Sequence, residues 1–146
     1  MKELDLENIL VENITKFLLE LGSSFAFVGR QYHLEVDNED YYIDLLFYNI
    51  KLHSYTVIEL KTTKFKPEYA GQLNFYVSAV DEQIRKKSDN PTIGILLCKE
   101  KRRLSAEYSL KNLNTPIAIA EYKYLEELPE YLNRELETTL EEEKSE

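Results

Sequence analysis

The sequence predicts an α/β domain in which helices flank a mixed central β-sheet. Short runs rich in β-branched and aromatic residues alternate with longer segments whose apolar residues recur at helical spacing. Two of the later runs, 92–98 and 116–120, each follow a helical segment, and a strand, helix, strand unit favours parallel pairing. With 146 residues, 43% of them hydrophobic, the chain is long enough for one core. We expect one domain with helices on both faces of the sheet.

The amino-terminal half predicts one helix and three antiparallel strands. Apolar residues repeat at helical spacing over 5–21, and Gly22 follows as a stop signal. The strand predicted at 25–36 leads through a polar turn, 37–40, to a second strand at 41–48. A loop then leads to a third strand, 55–61. These strands should form two successive hairpins.

The carboxyl-terminal half predicts alternating helices and strands. Pro67 suits the first turn of a helix whose apolar stripe continues to about residue 87. A buried strand at 92–98 follows, and Ser105 is placed to cap a short helix that reaches Leu113. After the strand at 116–120, leucines at helical spacing among glutamates predict a terminal helix from residue 125.

The composition indicates a cytoplasmic protein without a membrane span. Cys98 is the single cysteine, so no disulfide forms within the chain, and its apolar run predicts a small buried side chain. No apolar run approaches the ~18 residues that a transmembrane helix needs. The acidic amino terminus lacks the basic start of a signal peptide.

Acidic charge is concentrated at one end of the chain. The formal net charge is −9, of which residues 121–146 carry −7 and the first 120 residues only −2. Basic runs occur at 61–66, 85–87 and 99–103. Such runs are commonly solvated faces, and they bear on function only if they converge on the acids of a site.

Two acids lie where a core is predicted. Asp44 and Glu59 each interrupt an apolar strand, and a hairpin centred on the loop between them places the two nearly opposite each other. Lys61 follows on the same face as Glu59. Burying unpaired carboxylates is costly, so we expect a shared cation at this point. A salt bridge from Lys61 to one acid is the structural alternative, although it leaves the other acid uncompensated.

Asp44 with Glu59-Leu60-Lys61 resembles the D…(D/E)-x-K signature of the PD-(D/E)XK, or restriction-endonuclease-like, nuclease superfamily. Ile43 stands where that motif is named for a proline. Gln72-x-x-x-Tyr76 on the next helix resembles the QxxxY motif of its RecB-like branch. The runs GRQYHLEV, DYYIDLLFY, VIELKTTKFKPEYAGQLNFYVSAVD and NPTIGILLCKEK are similar to the carboxy-terminal nuclease domain of YhcG-type bacterial proteins.

This resemblance implies a restriction-endonuclease-like core of order αβββαβ, extended by a helix, a strand and a terminal helix. It implies that Asp44, Glu59 and the Leu60 carbonyl hold Mg²⁺, with Mn²⁺ as a substitute. Mg²⁺ prefers such oxygen ligands and keeps waters. The resemblance implies that Lys61 positions the attacking water or stabilises the transition state.

The resemblance also suggests further site residues. Glu12 matches a first-helix glutamate that binds a metal water or a second ion, with an ordinary surface glutamate as the alternative. Gln72 and Tyr76 would orient the lysine and the substrate backbone. Arg30 and Gln31 would contact phosphate, although a pair to an acid such as Glu35 is equally compatible with the sequence.

The implied activity is metal-dependent hydrolysis of DNA phosphodiester bonds by the catalytic domain of a larger bacterial DNA-processing or defence protein. Residues 1–125 would form the nuclease domain, and 126–146 an acidic helix or tail. Expected partners are DNA and an amino-terminal DNA-binding domain or partner protein outside this chain, while a homodimer stays open. The alternatives are a nucleic-acid-binding module without turnover and a protein-interaction domain that uses the acidic helix.

Overall fold

The computed structural model describes residues 25–121, which form a five-stranded sheet and two helices. In chain order these elements are β1 (Phe25–Val36), β2 (Glu39–Asn49), β3 (Ser54–Leu60), α1 (Pro67–Gln83), β4 (Ile93–Cys98), α2 (Arg103–Leu110) and β5 (Ile117–Glu121). The helices predicted at 5–21 and from 125 onward lie outside the described residues, as does the acidic segment 126–146.

The sheet is mixed, as predicted, with strand order β1-β2-β3-β4-β5. β1, β2 and β3 pair antiparallel through two hairpins, whereas β3, β4 and β5 pair parallel. Each parallel pair is joined by a crossover helix, α1 or α2, as parallel strands require. The carboxyl ends of β3 and β4 therefore lie side by side, with Leu60 paired to Leu97.

Helix α1 packs directly on β4 because β4 has a glycine at the contact. A Cβ at Gly94 would lie 2.8 Å from Val77 Cγ2 and 2.9 Å from Leu73 Cγ. Val57 and Leu96 belong to the same buried cluster. This packing places α1 over the half of the sheet that carries Glu59.

The sheet is buried on its other face as well, where side chains such as Leu45, Phe47, Ile58 and Leu97 have no exposed surface. Cys98 is buried, as predicted, and burial raises the pKa of its thiol to about 11, so it stays protonated. Within residues 25–121, neither helix is long and apolar enough to cross a membrane.

Several predicted boundaries are wrong by a few residues. The first turn is only Asp37-Asn38, because both residues adopt positive φ (53° and 64°) and close a tight two-residue hairpin. Helix α1 ends at Gln83, short of residue 87. Ser105 does not cap α2, since it lies within the helix, and Arg102 takes the capping position with a left-handed backbone. That helix stops at Leu110, short of Leu113.

Candidate active site

The two acids predicted to share a cation meet at the end of the β2–β3 hairpin. Backbone pairing of these strands runs as far as Leu45 and Ile58, and the same register places Asp44 opposite Glu59. Glu59 is buried, with only 3% of its surface exposed, whereas Asp44 is partly exposed. The site thus has one carboxyl group inside the domain and one at its edge.

Each carboxyl group accepts a hydrogen bond from the opposite strand's backbone. The Asp44 amide donates to Glu59 Oε2 at 2.8 Å, and the Leu60 amide donates to Asp44 Oδ2 at 2.8 Å. These two bonds lie just beyond the last paired residues of the hairpin. Because side chains take up the amides there, both acids are fixed by backbone atoms.

Glu59 is held in its protonated form more strongly than an ordinary glutamate. Burial raises its pKa most, and the negative charge of Asp44 raises it further. The Asp44 amide and the charge of Lys61 act in the opposite direction but are weaker. A carboxyl group with this environment favours a cation that can replace its proton.

Lys61 lies directly after β3, and its amide donates to the Leu97 carbonyl at 2.8 Å. Its Nζ lies 5.0 Å from the centre of the Tyr69 ring. Among the described residues, no ion pair joins Lys61 to a carboxylate within 4.0 Å. The salt-bridge alternative is therefore not what this part of the chain shows, and an aromatic ring holds the ammonium group beside the acids.

Gln72 and Tyr76 both lie on α1. Gln72 is exposed, whereas Tyr76 is 5% exposed and belongs to the buried core cluster. Burial, and then the charge of Glu59, raises the pKa of Tyr76, so its hydroxyl stays protonated. Gln72 Nε2 lies 3.5 Å from that hydroxyl, at the long limit of a hydrogen bond.

The two β1 residues predicted to bind substrate are Gln31 and Arg30. Gln31 Nε2 donates to Asp44 Oδ1 at 3.1 Å, from a residue with φ of 48°. Gln31 thus pairs with an acid, but the acid is Asp44 and not Glu35. Arg30 is exposed and lies opposite Leu45 in the β1–β2 pairing. Glu12 lies outside the described residues.

The donor set fits a magnesium ion. Within residues 25–121 no third acid, histidine or cysteine joins Asp44 and Glu59. Two carboxyl groups are the number that Mg²⁺ commonly takes from a protein, the remaining positions being filled by waters and substrate phosphate. The Leu60 amide is directed to Asp44, so Leu60 lies beside both acids.

Tyr69 is the site residue that sequence reasoning missed. Its ring is flanked by Lys61 and also by Lys66, whose Nζ lies 5.9 Å from the ring centre. Its hydroxyl and that of Thr63 are 2.7 Å apart. Tyr69 precedes Gln72 by three residues and Tyr76 by seven, so helical spacing could have placed it on their face.

A family model described as the YhcG PDDEXK nuclease domain matches residues 1–140. The chain belongs to this family. YhcG of Escherichia coli (strain K12), provisionally named a nuclease, is 40% identical over 121 residues. That match covers 83% of this chain but 32% of the relative, so this PDDEXK domain spans about a third of its relative's length.

Solved structures show the same fold for this PDDEXK domain. A repair endonuclease from Pyrococcus abyssi superposes with a TM-score of 0.52 at 16% identity, covering 83% of this chain and 46% of that one. EndoMS in complex with double-stranded DNA gives a TM-score of 0.53 at 16% identity, covering 75% and 44%. The restriction-endonuclease-like fold predicted from the sequence is confirmed.

Proposed function

We propose that this nuclease-family domain hydrolyses DNA phosphodiester bonds with the help of Mg²⁺. The observation that carries the proposal is the pairing of buried Glu59 with Asp44 at the end of the β2–β3 hairpin, each fixed by the other strand's amide. Glu59 is buried and Asp44 lies at the edge of the domain, so two acids meet where only one of them reaches solvent. A cation between them compensates both charges.

Asp44, Glu59 and the Leu60 carbonyl would hold the ion, and Mn²⁺ would substitute for Mg²⁺. When bound, the ion supplies an acidified water and neutralises charge that develops on the phosphate oxygens. Glu12, outside the described residues, is proposed to bind a metal water or a second ion.

The chain's own side chains would position the substrate. Lys61, steadied by the Tyr69 ring, orients the attacking water or stabilises the negative charge of the transition state. Gln31 holds Asp44 in its ligand orientation through the 3.1 Å hydrogen bond. Tyr76 keeps its proton beside Glu59, and Gln72, 3.5 Å from the Tyr76 hydroxyl, is proposed to bind the substrate backbone. Arg30, exposed on β1, is proposed to contact phosphate.

DNA is proposed as the substrate because the fold is shared with EndoMS, which has been solved with double-stranded DNA. The relative's greater length supports a larger whole protein, in which another domain or a partner selects the target. Within this chain, 1–125 is proposed as the nuclease domain and 126–146 as an acidic helix or tail. The lone buried cysteine is compatible with a reducing cytoplasm.

The test is cleavage of supercoiled plasmid, linear duplex, single-stranded and branched DNA with Mg²⁺ or Mn²⁺. Wild type and a Glu82→Ala control, altered at an exposed acid on α1, should cleave at equal rates. Asp44→Ala and Glu59→Ala should lose cleavage by about a hundredfold or more, because losing only a hydrogen-bond partner of a metal ligand already costs about 10–100-fold. Cleavage that survives both changes would refute the mechanism, and its absence from wild type on every substrate would refute the activity of this domain.

A further inference from the structure

Two of the three basic runs converge beside the paired acids. The loop after β3, residues 61–66, and the loop after β4, residues 99–103, leave the sheet at neighbouring carboxyl ends because these strands are parallel. We call them the basic loop pair. The third run, 85–87, follows α1 and precedes β4, at the opposite end of the sheet.

The basic loop pair is built as one unit. The Phe65 amide donates to the Glu100 carbonyl at 2.8 Å, and the Lys99 amide donates to the Thr63 carbonyl at 3.0 Å. Lys64 and Glu100 form an isolated parallel bridge. Phe65 is fully buried and anchors the first loop in the core. The positions of the charged side chains are thus set by the backbone.

The charges of this surface are mostly positive and mostly exposed. Its exposed cations are Lys64, Lys66, Lys99, Arg102 and Arg103, and Lys61 and Lys101 are partly exposed. Acids also lie nearby: Glu100 within the second loop, Glu68 in the first turn of α1, and Glu121, whose carboxylate accepts the Lys101 amide at 2.9 Å. Seven cations in eleven residues form a positive surface on a chain whose net charge is −9.

Arg102, within the second loop, has a strained backbone at the start of α2. Its φ is 53°, a left-handed conformation that costs a non-glycine residue energy. It occupies the capping position of α2 without any side-chain cap hydrogen bond. Glycine would take this conformation with less strain, and strained residues cluster where a side chain is needed for binding.

We propose that the basic loop pair binds the phosphate backbone of a nucleic acid and leads it across Asp44 and Glu59. The inference rests on the proposed function for the identity of the strand that is cut. Side chains of lysine and arginine bind phosphate irrespective of base sequence and make affinity depend steeply on salt. The surface therefore raises the affinity for nucleic acid and guides the strand to Asp44 and Glu59, without selecting a base sequence.

The test uses the 146-residue chain, a fluorescent DNA duplex and a fluorescent single strand, without divalent metal, in a titration followed by anisotropy at several KCl concentrations. Lys64→Ala with Arg102→Ala should weaken binding severalfold and make the slope of log affinity against log salt shallower by about 2. The matched control is Lys86→Ala with Lys87→Ala, which removes two exposed lysines on the order of 20 Å away along β3. It should behave as wild type.

Three results would overturn the proposal: a Lys64/Arg102 variant that binds like wild type, equal losses in both double variants, or no DNA binding at low salt. A glutamate-rich peptide that binds the surface as tightly as DNA would also overturn it, in favour of an acidic protein partner. Glu59→Gln separates the two ideas. If Glu59→Gln loses cleavage but keeps the wild-type dependence of DNA affinity on salt, the paired acids and the basic loop pair act separately. If Glu59→Gln keeps cleavage, the proposed mechanism fails, and the salt dependence of the Lys64/Arg102 variant alone decides whether the surface binds DNA.

Discussion

At the scale of single residues, the burial of Glu59 dominates the site. A carboxyl group at 3% exposure is destabilised in its charged form, and Asp44 beside it raises the pKa further. Without metal, the folded protein therefore keeps a proton on Glu59 at neutral pH, whereas the unfolded chain has already released it at about pH 4.3. Burial destabilises the charged carboxylate of Glu59, and a bound cation would offset that destabilisation.

Replacing Glu59 with glutamine should stabilise the metal-free protein. Because the pKa of Glu59 is raised on folding, the protonated carboxyl contributes fully to the free energy of unfolding below the unfolded pKa of about 4.3. This contribution is lost as pH rises toward the folded pKa. Glutamine can still accept the Asp44 amide but has no charge to bury. In urea unfolding at pH 8, the variant should be more stable than wild type. The difference in the free energy of unfolding between variant and wild type should be about 1–3 kcal/mol larger at pH 8 than at pH 5.

The control for this prediction is Glu82→Gln, which changes an exposed acid on α1. Its stability relative to wild type should stay flat over the same pH range. A Glu59→Gln variant that is less stable than wild type at pH 8 would show that Glu59 is not a buried, protonated acid in the metal-free fold.

Tyr69 is predicted to position Lys61 without touching the reaction. Removing the ring with Tyr69→Ala should lower cleavage about two- to fivefold, the range expected from an exposed cation–π contact. Tyr69→Phe keeps the ring and should cleave like wild type, despite losing the contact with the Thr63 hydroxyl. Mn²⁺ affinity should be the same in all three proteins, and a change in it would contradict a positioning role.

At the scale of the elements, the sequence predicts the strands and their pairing well. The period-two runs identify β1, β2 and β3, and the crossover helices identify the parallel pairs. The opposition of Asp44 and Glu59 follows from the hairpin loop alone. What could not be read were features set by tertiary contacts: Tyr76 is buried because α1 lies close to the sheet, and the Lys61–Tyr69 contact joins a strand end to a helix.

The close approach of α1 to β4 can be tested at Gly94. An added methyl would lie under 3 Å from Leu73 and Val77, so Gly94→Ala should destabilise the fold by about 1–3 kcal/mol. Gly71, within α1, has nothing within 4 Å of its added Cβ. Gly71→Ala should therefore stabilise the fold by about 0.5–1 kcal/mol through helix propensity. Equal effects in thermal unfolding would contradict the packing.

At the scale of the whole molecule, the charge distribution explains how an acidic chain could bind DNA. Most of the net negative charge lies in residues 121–146, whereas the basic loop pair lies at the end of the sheet that carries Asp44 and Glu59. Net charge alone would have argued against a nucleic-acid partner. The fold places two separate basic runs side by side, because β3 and β4 are parallel neighbours whose carboxyl ends lie at one end of the sheet.

Calorimetric titration of Mn²⁺ into wild type, Glu59→Gln and Glu82→Gln tests whether the paired acids form a metal site. If Asp44 and Glu59 form one cation site, wild type and Glu82→Gln should bind Mn²⁺ with equal affinity, more tightly as pH rises, because the proton on Glu59 must leave. Glu59→Gln should bind at least tenfold more weakly, about 1.4 kcal/mol. Mn²⁺ binding that is unchanged in Glu59→Gln would show that the paired acids do not hold the metal.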